Sequence, residues 1–203
     1  FVGTAGMLIG ARDHVADQTR PGHRQPPRLA GQDVDPRACL LAQINLLLHG
    51  VADADIRCGD SIREAGHRDA DATLTRFDRV LPSPPVAMTA DQGRHEIDHP
   101  ERMRYGWPTS RRTQAELLCV QHVLSLLRPD GVGVMVIPSS TMSRSDDTPI
   151  WRTLIEDGRL HTIVNIGANA FPGTSIPACI LILRGPGHRP AATGRDLLFV
   201  DAA

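Results

Sequence analysis

The chain has 203 residues, 41% of them hydrophobic and 22% charged, which fits a folded globular chain and excludes a disordered tail or a collagen-like repeat. All 22 of its basic residues are arginine, and 23 acidic residues leave a net charge of −1, so a general attraction to polyanions is excluded. Four scattered cysteines, Cys39, Cys58, Cys119 and Cys179, form no Cys-x-x-Cys pair, which argues against a zinc ribbon or disulfide scaffold and makes a reducing cytoplasm the simplest compartment.

Apolar runs alternate with helical patterns along most of the chain, which predicts an α/β fold built on a mostly parallel sheet with crossover helices. Phe1-Val2-Gly3-Thr4 reads as the end of a buried strand, Ala5 to about Gln18 as a helix, and Arg20 to Pro27 as a loop. Arg28 to Asp33 reads as a short strand. Pro36 to His49 reads as a helix, with proline in its first turn and Gly50 just past its end. Ile56 to Gly59 is a further strand, and the charge-mixed stretch from Ser61 to Arg76 is expected to be partly helical.

Phe77 to Leu81 is a strand that runs into Pro82-Ser83-Pro84-Pro85-Val86. Proline has no N–H to donate and fixes its own φ, so this strand must stop there and leave its carbonyl groups pointing outward. Met88 to Ser110 reads as a long lid loop. Thr113 to Leu127 reads as a strongly amphipathic helix closed by Pro129-Asp130-Gly131, followed by a buried strand at Val132 to Ile137. A polar loop at Pro138 to Thr148 leads into a helix ending near Gly158. Leu160 to Ile166, Ala178 to Leu183 and Leu197 to Val200 complete the strands. No apolar run reaches the roughly 18 residues of a membrane span, so no membrane partner is expected.

Three strand ends carry candidate chemistry. Gly3-Thr4-Ala5-Gly6 sits where a strand turns into a helix, and small residues there let a ligand lie against backbone amides. An ordinary tight turn explains the same residues equally well. Asp33 closes the next strand, where a carboxylate accepts hydrogen bonds from the ribose hydroxyls of a nucleoside cofactor. Asp60, after the third strand, either accepts from an adenine amine or caps the turn that follows. The three together are stronger than any one, because ligands of open α/β sheets bind at the carboxyl ends of strands.

Gly3-Thr4-Ala5-Gly6-Met7-Leu8, Gly31-Gln32-Asp33, the run Leu41 to Gly50, Gly59-Asp60, Phe77 through Pro85, Arg104-Tyr105-Gly106, Ala115 to His122, and Phe171 to Leu183 resemble, in order, successive blocks of one family. That family is the modification subunit of type I restriction–modification systems, which methylates adenine N6 in DNA. The resemblance implies a Rossmann-like S-adenosylmethionine-dependent methyltransferase fold, with S-adenosylmethionine held by Gly3, Thr4, Gly6, Asp33 and Asp60. It implies that Ser83, Pro84, Pro85 and Phe171 are catalytic, and that Val86, Tyr105 and Arg104 meet the substrate. DNA and a specificity subunit are the implied partners, with a restriction subunit as a further one; no metal is implied. Residues 1–203 then read as the catalytic domain, N-terminally truncated, with its first strand and a preceding helical domain missing.

Two positions depart from the family's polar–Pro–Pro–aromatic tetrapeptide. Ser83 stands where the family has asparagine, giving a shorter acceptor of a kind familiar from cytosine-N4 methyltransferases. Val86 stands where the family has an aromatic ring, which removes a stacking contact of about 1–3 kcal/mol per base. Phe171 matches the family's second aromatic and offers a replacement, the other reading being a core residue before a Pro-Gly turn. These departures leave a catalytically degenerate, cofactor- or DNA-binding homologue as the competing expectation. The nine histidines have no ligand-like spacing, and Arg104, Arg111 and Arg112 suit either phosphate contact or a solvated loop face.

Overall fold

The computed structural model describes residues 1–18, 26–84, 97, 100–107, 116–171, 174–188 and 197–203. They fall into two compact units, Phe1–Ala72 and Thr73–Ala203.

In the first unit the chain runs α1 (Gly6–Asp17), β1 (Ala30–Asp33), α2 (Pro36–Leu48) and β2 (Asp55–Cys58). The strands pair in parallel from Ala30 opposite Asp55 to Asp33 opposite Cys58. Val2 donates its amide to Gln32 O at 2.9 Å, so the first residues run beside β1, but residues 1–4 form no strand and are only half-buried or exposed, contrary to expectation. Helix α2 starts where Asp35 accepts from the Arg37 amide at 2.9 Å with Pro36 in the first turn. It stops where Gly50 takes a φ of 77° and Val51 N reaches back to Leu46 O at 2.9 Å.

Ala5, Ile9, Ala42 and Leu46 form the core of this unit, and Val2, Leu8, Leu29 and Ile56 pack against them. The opposite face of α2 leaves Leu40, Leu41, Ile44, Leu47 and Leu48 exposed. The stretch from Ser61 to Arg76 forms no helix, contrary to expectation. Side chains from the strands tie it down instead: the Gln32 amide donates to Glu64 O at 2.9 Å and accepts from Gly66 N at 2.9 Å.

The second unit contains β3 (Phe77–Val80), α3 (Glu116–Leu126), β4 (Leu127–Pro138), α4 (Thr148–Glu156), β5 (Leu160–Gly167), β6 (Ala178–Arg184) and β7 (Leu198–Asp201). Its sheet has the order β3-β4-β6-β5-β7. β3 runs parallel to β4 and β7 parallel to β5, while β6 runs against both neighbours, so four of the five strands share one direction. The described residues between β5 and β6 contain no helix. Ten residues without a crossover helix suit only an antiparallel return.

Two local expectations are corrected here. Pro129-Asp130-Gly131 does not close a turn but belongs to β4, because Gly131 O accepts from Gly185 N at 2.9 Å and Pro129 O from Gly187 N at 2.8 Å. Only glycine fits at 185, where a Cβ would stand 1.9 Å from Arg128 O. Helix α3 is not amphipathic in use, since every residue from Glu116 to Leu124 is buried. The polar loop after β4 is ordered into two 3-10 turns, Ser139–Ser143 and Ser145–Asp147. Most of the expected lid at 88–110, and the start of the helix expected from Thr113, lie outside the described residues.

Candidate functional site

The first unit brings its three expected strand ends together. Gly3 adopts a φ of 54° and donates its amide to Asp33 Oδ2 at 2.9 Å, while Asp33 Oδ1 accepts from Asp35 N at 3.1 Å. Both carboxylate oxygens are thus oriented by backbone amides. Gly59 N donates to Asp33 O at 2.8 Å, which sets Asp60 beside Asp33 on the carboxyl edge of the two parallel strands. Asp60 caps the turn that follows, its Oδ1 accepting from Ile62 N at 2.9 Å and its Oδ2 lying 3.7 Å from Arg63, while its side chain stays 42% exposed and able to accept a further bond.

The turn from Gly3 to Gly6 is built to leave space. Ala5, fully buried with a φ of 65°, precedes α1, and no side chain among the described residues caps that helix. The amides of its first turn have no intrahelical acceptor by geometry. A Cβ placed on Gly3 or Gly6 would meet no protein atom within 4 Å. Thr4 contributes through its backbone, its carbonyl accepting from Asn45 Nδ2 at 2.8 Å. Sequence reasoning passed over Asn45, although a polar residue inside the apolar run of α2 was a readable signal. An uncapped helix start, open glycines and two oriented carboxylates suit a ligand with a carboxylate at one end and hydroxyls or an amine at the other.

In the second unit, Val80 ends β3, and Leu81-Pro82-Ser83-Pro84 continues from the carboxyl edge of the sheet. Ser83 is exposed, and its hydroxyl has no hydrogen-bond partner among the described residues; Pro84 is half-buried. Pro85 and Val86 lie outside the described residues. Phe171 follows the end of β5 and is 42% exposed, which removes its reading as a core residue. It forms a short bridge with Thr174. β5 ends and β6 begins at the edge where β4 ends, since Pro138 and Gly167 both pair with Ala178. Ser83 and Phe171 therefore leave the same edge of this sheet, from strands separated by three spacings, about 14 Å.

Arg104 and Tyr105 gather elsewhere. The Arg104 guanidinium lies 5.1 Å from the Tyr105 ring centre, and its Nη2 lies 3.8 Å from Asp157 Oδ2. Asp157 ends α4 just before Leu160 opens β5, at the opposite edge of the sheet from Ser83 and Phe171. Burial pushes the Tyr105 phenol above its ordinary pKa, partly opposed by the Arg104 charge. The backbone here is gripped by Gln121, which accepts from Tyr105 N at 3.0 Å and donates to Gly106 O at 2.8 Å. Arg102, almost wholly buried, points Nη1 at His122 Nδ1 2.9 Å away. Among the described residues no cluster of histidine, cysteine and carboxylate side chains is placed to hold a metal, and no helix is long and apolar enough to cross a membrane.

Comparison with known proteins gives these strand ends a context. The N-6 DNA Methylase family matches residues 1–203. A type I restriction enzyme MjaIX methylase subunit of Methanocaldococcus jannaschii is 29% identical over 177 residues, covering 85% of this chain and 30% of the relative. A type I restriction–modification methyltransferase subunit from Streptococcus thermophilus superposes with a TM-score of 0.80 at 26% identity, over 98% of this chain and 40% of that one. A class I S-adenosylmethionine-dependent methyltransferase of Listeria monocytogenes shares the fold, with a TM-score of 0.73 at 17% identity over 100% of this chain and 57% of that one. The chain thus spans well under half the length of its type I relatives.

Proposed function

The chain belongs to the N-6 DNA methylase family, and from that premise we propose that it transfers a methyl group from S-adenosylmethionine to the exocyclic N6 amine of adenine in DNA, within a type I restriction–modification assembly. The observation that carries this reading is the pair of carboxylates, Asp33 and Asp60, at the carboxyl ends of β1 and β2 beside the open Gly3–Gly6 turn, in a chain whose residues 1–203 match the family. S-adenosylmethionine fits the first unit. The open turn at Gly3, Thr4 and Gly6 and the uncapped start of α1 would take its methionine end, and Asp33 and Asp60 its ribose and adenine. When bound, it supplies an electrophilic methyl group on a sulfonium.

The chain's own task is to make an aromatic amine nucleophilic. The N6 lone pair is delocalised into the adenine ring until both of its N–H groups meet acceptors. The Ser83 hydroxyl oxygen and the Pro84 carbonyl are those acceptors in this proposal, with Pro85 stiffening the backbone behind them. Fixed acceptors aimed at the positive charge that develops on nitrogen stabilise the transition state without reorganising. As the amine's bond to the methyl carbon forms, the carbon–sulfur bond would break to leave a neutral thioether, and the amine's extra proton would pass to solvent. No base with a shifted pKa is needed. The target base must leave the duplex, and Phe171 offers the stacking surface for it where Val86 does not. Tyr105 and Arg104 would then meet DNA away from the reacting base. A specificity subunit and a restriction subunit are the proposed protein partners.

The test is transfer of labelled methyl groups to DNA by the full protein, with the product mapped by nucleoside. Label at adenine N6 is the expected result. Label at cytosine N4 would reassign the base, a reading that Ser83 favours. Absence of label together with intact S-adenosylmethionine binding would establish the degenerate homologue, and activity created by Ser83→Asn with Val86→Phe would identify the cause.

A further inference from the structure

The first unit holds a chemistry that methyl transfer does not use. Cys39, the fourth residue of α2, is buried, and its thiol donates toward Asp33 O at 3.4 Å and Arg57 O at 3.5 Å. The Arg57 carbonyl belongs to the peptide that leads into Cys58, and Cys58 ends β2 opposite Asp33. Cys39 Sγ thus reaches the carbonyl of the residue next to Cys58, which places the two cysteines one peptide apart across the α2–β2 contact. Both are free thiols, one buried and the other exposed. Burial, then the neighbouring Cys58, raises the Cys39 thiol above its ordinary pKa. The other two cysteines, Cys119 and Cys179, are buried in the second unit.

We propose that Cys39 and Cys58 are an oxidisable dithiol pair, a reversible modification site whose disulfide weakens S-adenosylmethionine binding by displacing the β1–α2 turn that orients Asp33. Its effect on the cofactor rests on the function proposed above, whereas formation of the bond does not. With a peroxide as oxidant, exposed Cys58 attacks one peroxide oxygen and becomes a sulfenic acid, releasing one water. Cys39 then loses its proton as its sulfur attacks the Cys58 sulfur, and the hydroxyl departs with a proton as a second water. Two thiols and one hydrogen peroxide give one disulfide and two waters. The bond brings the sulfurs to about 2.05 Å, well inside van der Waals contact. The first turn of α2 must then move against β2, and Cys39 Sγ gives up its contact with Asp33 O.

The experiment treats the full protein with hydrogen peroxide, digests it without reduction and maps linked peptides by mass spectrometry, measuring S-adenosylmethionine affinity before oxidation, after it, and after dithiothreitol. The expected result is a Cys39–Cys58 linkage and an affinity weakened about fivefold or more, restored by reductant. Cys58→Ser, a surface change, should abolish both effects, while Cys119→Ser and Cys179→Ser should leave both. Absence of the linkage overturns the proposal, and a linkage without loss of affinity overturns its coupling to Asp33. If the reduced protein binds no S-adenosylmethionine, the functional premise has failed, and the linkage map still decides the site.

Discussion

Asp33 ends one parallel strand and Ser83 follows the end of another, yet the protein treats them in opposite ways. Asp33 has each carboxylate oxygen fixed by a backbone amide, from Gly3 on one side and Asp35 on the other. Ser83 projects exposed, with no partner among the described residues. The difference teaches that the first unit fixes its electrostatics before a ligand arrives. In the second unit, the polar group is left exposed, open in the proposed function to a substrate N–H.

Breaking that contrast should hurt most at Ser83. Ser83→Ala should slow methyl transfer by about 10²–10³-fold, as removal of one hydrogen-bonding group that acts on the transition state does elsewhere. Single-turnover rates at saturating S-adenosylmethionine measure it, and cofactor affinity should stay unchanged. At the preorganised end, Asp33→Ala removes charge-assisted hydrogen bonds of about 1.5–3 kcal/mol, so affinity for S-adenosylmethionine should fall by roughly 10- to 150-fold by calorimetry. Asp33→Asn, which keeps one acceptor for Gly3, should recover part of the loss. Phe171→Ala removes a base stack of about 1–3 kcal/mol and should weaken DNA binding while sparing the cofactor, as a titration with DNA carrying an extruded target base would read. The smallest effect belongs to Asp35→Ala, which removes only the cap of α2. It should cost about 1 kcal/mol of stability, read as a lower denaturant midpoint.

Sequence revealed the first unit more fully than the second, for physical reasons visible at single residues. Asp35-Pro36 and Gly50 mark the ends of α2 by local chemistry, and the structure places those ends within a residue of expectation. Asp33 and Asp60 could be placed because the strands preceding them are short and bounded by turn residues. The role of Asp60 was left between cap and ligand, and its bonds to the turn explain why: one side chain serves a local need that composition alone resembles.

Non-local bonds defeated the rest. Pro129 and Gly131 carry turn signals, but their carbonyls are claimed by Gly185 and Gly187, more than fifty positions later, and that pairing makes them strand. Gln121 and His122 gave α3 the pattern of a solvated face, whereas Gln121 is buried because it grips Tyr105 and Gly106, and His122 because it meets Arg102. The opposed direction of β6 left a mark, since the interval from β5 holds no helical pattern.

The reversed β6 also sets a schedule for biogenesis. On the ribosome, Phe1–Ala72 can assemble early from neighbouring segments, while β4 and β5 emerge as separate pieces with no strand to join them. Only translation through Ala178–Arg184 supplies the centrepiece that stitches the later sheet together. A nascent polypeptide arrested before Ala178 should show protease resistance confined to its early segment, and one arrested well past Arg184 should show it in both.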